Sequence, residues 1–212
     1  MILVDRKLAL QDPRLDDRAG GASTPPPVEL GGFGQFNDMD FHRLLRSARR
    51  LPEKSGTYAV FIRNGHRILN AVGYEPSNKS SLASPVTDFF NMYTGSSGDL
   101  RARVACHVKG DARTSTLRRS LLAAEHACSA LARAGQPLPD AANEEFSLDL
   151  WLALNAHLVW WREKDCSALE TTMLERLQSP LNVSGRKQNP FSRRLMGMRH
   201  AHQARVLPGR GS

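Results

Sequence analysis

The chain has 212 residues, 41% of them hydrophobic, which is enough for one large domain with a buried core. Its 29 Lys and Arg against 21 Asp and Glu give a net charge of +8, which points to an acidic partner, nucleic acid before others. Cys106, Cys128 and Cys166 are too few and too scattered for a disulfide framework, and neither a signal peptide nor a membrane-spanning run is visible, so a reducing cytoplasm and no membrane partner are expected.

Residues 1–36, with Pro25-Pro26-Pro27 and Gly31-Gly32-Phe33-Gly34, read as a flexible tail. Residues 37–54 read as a basic helix: Asp38 or Asp40 caps Phe41 to Arg50, with Phe41, Leu44, Leu45 and Ala48 on one face and Arg43, Arg46, Arg49 and Arg50 exposed. Thr57 to Ile62 is β-branched and aromatic and reads as a strand. Asn64-Gly65 is a hairpin signal with a return strand from His66 to Val72. After a loop from Gly73 to Ser84, Met92-Tyr93-Thr94-Gly95 reads as a strand end, and Ser96-Ser97-Gly98-Asp99 fits a capping box at a helix start. In that helix Leu100, Val104 and Val108 form a buried stripe, with Arg103 and His107 one turn apart beside it.

A second helix starts near Thr114 or Ser115, with Leu117, Leu121, Ala124, Cys128 and Leu131 on one face and Arg113, Arg118, Arg119 and Arg133 off it. Pro137 to Glu145 reads as a polar loop, Ser147 to Leu154 as a short helix and His157 to Trp161 as a strand. Asp165 or Ser167 starts a third helix, with Leu169, Met173 and Leu177 along one face and Pro180 as its stop. The segment 186–212 is strongly basic, and Asn189-Pro190 opens a final helix, Phe191 to Ala204. The pattern is α+β: a small mixed or antiparallel sheet of three to four strands flanked by helices, with the main domain over residues 55–185.

Polar residues stand at the element edges in a definite order: Gly56-Thr57-Tyr58, Tyr93-Thr94-Gly95, Arg103, His107, Glu170 and Asn182. On these residues the stretch from Ser55 to Val183 resembles the GIY-YIG nuclease family. Both triplets carry threonine for the middle isoleucine. The intervals Tyr93 to Arg103, Arg103 to His107 and Glu170 to Asn182 are family-like, and Pro180-Leu181-Asn182 resembles the usual end of the nuclease core. Tyr58 and Tyr93 are 35 positions apart, more than usual, so the resemblance implies an insertion or an extra strand between them. Tyr74, in Val72-Gly73-Tyr74, competes with Tyr93 as partner tyrosine but lacks the following glycine and the spaced arginine.

The resemblance implies a divalent-metal-dependent endonuclease with Tyr58, Tyr93, Arg103, His107, Glu170 and Asn182 as its catalytic set and Glu170 as ligand of one Mg²⁺ or Mn²⁺. The chemistry suits these types. A hard ion needs only one or two carboxylates, an arginine fork matches phosphate, and a tyrosine base at neutral pH needs a lowered pKa, which a metal or Arg103 could supply. Which group takes the proton from water is open in the sequence. Glu170 also has a local explanation, since Ser167-Ala168-Leu169-Glu170 is a good capping box. Trp151, Trp160 and Trp161 read as core before base-stacking residues. Arg101, Lys109, Arg113, Arg118, Arg186, Lys187, Arg193 and Arg194 are the expected nucleic-acid contacts, gripping phosphates without reading sequence. DNA is the expected substrate. The alternatives are a non-catalytic nucleic-acid-binding protein with the same fold and an RNA-directed nuclease.

Overall fold

The structure, a computed structural model, describes residues 37–75, 83–84, 87–132, 141–177, 179–183 and 189–206. The expected tail over residues 1–36, together with Arg186 and Lys187, lies outside them. In chain order the elements are β1 (Asn37–Asp40), α1 (Phe41–Arg46), a 3-10 turn (Ala48–Arg50), β2 (Gly56–Arg63), α2 (Gly65–Ala71), β3 (Ala83–Ser84) and β4 (Thr87–Ser97). Then follow α3 (Leu100–Lys109), α4 (Thr116–Ala132), α5 (Ala141–Asn155), β5 (Ala156–Arg162), α6 (Cys166–Leu177) and α7 (Pro190–Val206). The expected α+β class holds. One sheet runs in the order β1-β5-β2-β4-β3, every described pair antiparallel, with the two-residue β3 and the four-residue β1 as additions at its edges.

Strand alternation splits the core. Tyr58, Val60 and Ile62 of β2, with Leu158 and Trp160 of β5, face α1, α3, α4, α5 and α7 in the main cluster. Ala59, Phe61, Val159 and Trp161 face the other way, against Met173 and Leu177 of α6. Trp160 and Trp161 are buried, as core tryptophans should be. Phe191 and Leu195 of α7 join the main cluster, so packing continues across the boundary expected after residue 185.

One irregularity aims the central strand. The β2–β4 register slips between Val60 and Phe61: Val60 pairs with Tyr93, Phe61 with Asn91, and Met92 is the extra residue of a bulge. Asn91 faces α6 and its exit, bonding Leu177 O and Ser179 Oγ. Without the bulge Tyr93 would face the same way. With it, both Met92 and Tyr93 join the main cluster.

Several local expectations are corrected. Asn64-Gly65 opens α2 rather than a hairpin. Both edges of β2 are taken by β4 and β5, so 66–72 has no slot in the sheet. Ile68, Leu69 and Val72 are buried at helical spacing instead. Asn64 is left-handed at φ 54°, and a Cβ on Gly65 would sit 2.7 Å from Met92 Sδ. Asp40 precedes α1 without a side-chain capping bond; it pairs instead with His157 Nδ1 at 3.0 Å, and that bond holds its carboxyl below the usual range. The capping box at Ser96 does not form, because Ser96 belongs to β4. Asp99 caps α3 alone, accepting from Ala102 N at 3.0 Å. Residues 141–145, expected in a loop, are the first turns of α5. Among the described residues no helix is long and apolar enough to cross a membrane.

Gly56 marks the tightest approach in the sheet. A Cβ there would lie 2.3 Å from Trp161 O and 2.6 Å from Leu100 Cδ1. Gly56→Ala should therefore destabilise the fold by about 1–3 kcal/mol, the usual range for overpacking, read as a lower urea midpoint at unchanged slope. An unchanged midpoint would contradict this packing.

Candidate active site

Tyr58 is the third residue of β2, opposite Gly95 of β4. The ring crosses directly over the glycine: a Cβ at 95 would be 2.6 Å from the Tyr58 hydroxyl. Glycine at 95 thus answers to a space requirement, since its neighbour's phenol fills the volume of any side chain. Thr57 and Thr94, the middle residues of the two triplets, face α6 instead. Thr57 Oγ1 donates to Cys166 O at 2.8 Å, and Thr94 Oγ1 lies 2.5 Å from Ser179 Oγ. Their hydroxyls anchor the sheet to the segment behind it, which gives these substitutions for isoleucine a physical reason.

α3 supplies the next two groups. His107 is fully buried, with Nε2 2.6 Å from the Tyr58 hydroxyl and Nδ1 2.7 Å from Ser115 Oγ. The three rings of Tyr58, Tyr93 and His107 meet with centroids 5.4–6.2 Å apart. Arg103, one turn before His107, is half-buried, with Nη1 3.4 Å from Thr114 O, and lies near enough to both phenols for their charges to bear on it. Burial, then the nearby Arg103 and Arg118 charges, pushes His107 down to about 3, so its imidazole is neutral at ordinary pH. Burial also raises Tyr58 well above its usual value, and the lowering influence of Arg103 does not offset it. The lowered phenol pKa expected of Arg103 is therefore not found in the free protein.

Glu170 arrives from α6, on the other face of the sheet. Its Oε2 accepts from Ser96 Oγ near the end of β4, and its charge is felt at Tyr58. Asp165, accepting from Ala168 N at 3.1 Å, caps α6, so the capping-box role for Glu170 is not used. Among the described residues no group of three or more His, Cys, Asp or Glu gathers as a metal cluster. The donor set instead fits a hard, largely hydrated divalent ion held by one carboxylate. Glu170 is partly exposed, oriented by a hydroxyl on one oxygen and without a described partner on the other.

Asn182 does not enter the ring cluster. Its Oδ1 accepts from Thr94 N at 2.9 Å and its Nδ2 donates to Thr94 O at 2.6 Å. With Leu181 N on Met92 O at 3.0 Å, it closes the open edge of β4 on both sides of Tyr93. Tyr74 lies elsewhere, its ring 4.7 Å from that of Phe191.

The expected phosphate contacts divide. Lys109 and Arg193 are exposed. Arg113 is exposed but bound to Asp111 at 2.6 Å, and Arg194 Nη1 holds Val72 O and Gly73 O. Arg101 spends its nitrogens on Leu51 O, Arg49 O and Glu53, pinning the N-terminal segment to α3. Arg118 corrects the expectation outright. Its side chain is fully enclosed, bonded to Glu145 at 2.5 Å and to His107 O, with Asp149 adding charge at 2.7 Å without hydrogen-bonding alignment. It has no surface to offer a phosphate. Sequence reasoning missed Ser115 and Ser96 as partners of His107 and Glu170, because both read as helix-start residues.

The family model described as the GIY-YIG catalytic domain matches residues 56–201 of the chain. No curated protein and no solved structure matches it.

A neutral buried histidine has a consequence for stability. Its folded pKa lies below its unfolded one, so the unfolded chain binds the extra proton first, and stability falls as pH drops from about 6.5 towards 3. That contribution should be about 1.4 kcal/mol per pH unit, and the difference in unfolding free energy between the wild type and His107→Gln should narrow by that slope across the window. Parallel stability profiles for the two proteins would refute a buried neutral His107.

Proposed function

Since the chain belongs to the GIY-YIG nuclease family, we propose that it hydrolyses phosphodiester bonds of DNA as an endonuclease, aided by one Mg²⁺ or Mn²⁺ held by Glu170. The observation that supports this best is the convergence of Tyr58, Tyr93, His107 and Arg103 at one end of the β2–β4 pair, with Glu170 reaching it from the opposite face. Each of those side chains is ordinary alone. Together they offer a phosphate fork, a proton path and a carboxylate at one end of the β2–β4 pair.

In this reading Arg103 binds the scissile phosphate through its planar fork, which keeps its charge at any working pH. Tyr58 positions the attacking water by accepting a hydrogen bond from it. Because the phenol is neutral and lies 2.6 Å from a neutral imidazole, it can take the water proton while passing its own to His107 Nε2. The water oxygen bonds to phosphorus as the bond to the leaving ester oxygen breaks, and that oxygen takes its proton from solvent. Tyr93, whose phenol acts electrostatically on Arg103, steadies the guanidinium. Asn182 acts through the Thr94 backbone and is a positioning residue. When bound, a divalent ion supplies Lewis-acid stabilisation of the charge on phosphate and leaving oxygen.

Incubation of supercoiled and linear DNA with Mg²⁺ or Mn²⁺ tests the reading. Tyr58→Phe should slow nicking by about 10²–10⁴-fold, the range for lost acid–base catalysis, with DNA affinity retained. Glu170→Gln should bind and fail to nick. A wild-type protein that binds DNA and leaves every substrate intact would be a binding module, and cutting confined to structured RNA would move the substrate class.

A further inference from the structure

Arg199 of α7 is a cation with no acid beside it among the described residues. It leaves its own helix to donate through Nε to Ser120 Oγ of α4 at 3.1 Å and through Nη2 to Leu181 O at 3.0 Å. Ser120 is fixed in turn, donating to Thr116 O at 2.8 Å. Arg119 next to it is held in the same way, Nε to Ala112 O at 2.8 Å and Nη2 to Arg113 O at 2.6 Å. Both side chains are half-buried, neither has a carboxylate partner among the described residues, and in both the Nη1 group has no described partner yet is not sealed from solvent.

Arg199 is anchored on Ser120, the chain neighbour of Arg119 on α4, and the Arg119 charge acts on it; like charges so placed are an unfavourable arrangement that a folded protein keeps only against some gain. Burial and then the Arg119 charge pull Arg199 down to about 10, with the Tyr93 phenol opposing them. The pair is also tied to the candidate site by structure, since the Leu181 carbonyl that Arg199 holds belongs to the segment clamping β4 on both sides of Tyr93.

We propose that Arg199 and Arg119 form a second phosphate subsite beside Tyr93, taking a backbone phosphate of the same nucleic-acid strand next to the one cleaved. It rests on the reading of the candidate site as that of a nuclease and adds a contact outside the catalytic set. The subsite fixes the strand's direction across the site, so that the phosphate at Arg103 is presented to the Tyr58–His107 pair rather than passing it by. The guanidinium forks suit this task, because two free N–H groups at each Nη1 can meet phosphate oxygens while the anchored edge prevents the side chain from swinging away.

The test is equilibrium binding to a short DNA duplex over a salt series, in the Glu170→Gln background without divalent metal, so that cleavage plays no part. Arg199→Gln should weaken binding evenly across sequences and reduce the slope of log K against log salt by about 0.9. Arg199→Lys should restore that slope by keeping the charge, which a purely structural stitch between α7 and α4 would not require. An unchanged slope in Arg199→Gln, whatever its melting temperature, overturns the subsite, as does a full-length protein that binds no duplex. Nicking by the wild type is scored separately, so a failed subsite with an active nuclease and an inactive protein with a lost slope are distinct results.

Discussion

The contact on which the site depends is the passage of the Tyr58 ring over Gly95, ending in a 2.6 Å hydrogen bond to a fully buried histidine. It is possible only because β2 and β4 are adjacent, the residue opposite Tyr58 has no side chain, and α3 brings His107 to the main-core face of that pair. Burial then sets the charge state. Both groups are pressed towards neutrality, the phenol by a raised pKa and the imidazole by a lowered one, while Arg103 remains charged at the rim. The result is a neutral, hydrogen-bonded phenol–imidazole pair in a low-dielectric setting beside a cation.

The sheet itself separates two jobs. On one face lie the rings and Arg103; on the other lie α6 and the hydroxyls of Thr57, Thr94 and Ser96. Glu170 bridges them, since its helix packs behind the sheet while its carboxylate is turned towards the end of β4. Asn182 serves the same end from the strand edge. By satisfying both backbone groups of Thr94 it substitutes for a neighbouring strand and holds the bulged segment that directs Tyr93 inward.

Much of this is legible in the sequence where spacing is local. Arg103 and His107 are one turn apart on a helix with a clear apolar stripe, and β2 and β5 are dense runs of strand-forming residues. What escapes is set by non-local pairing. Asn64-Gly65 carries the local chemistry of a hairpin, but strands distant in sequence occupy both edges of β2. The bulge at Met92 leaves no mark in composition. Arg118 reads as an outward-facing charge on a helix until Glu145 and Asp149, from the next helix, close over it. Arg199 sits in a run of basic residues that gives no sign which one turns inward.

The most direct measurement of the central claim is a crystal structure of the Glu170→Gln protein bound to duplex DNA with Mg²⁺. The account predicts a backbone phosphate within hydrogen-bonding distance of Arg103, a water between that phosphorus and the Tyr58 hydroxyl, and the residue 170 side chain facing the same phosphate. DNA seated on another surface, with the Tyr58 hydroxyl and residue 170 turned away from every phosphate, would contradict it.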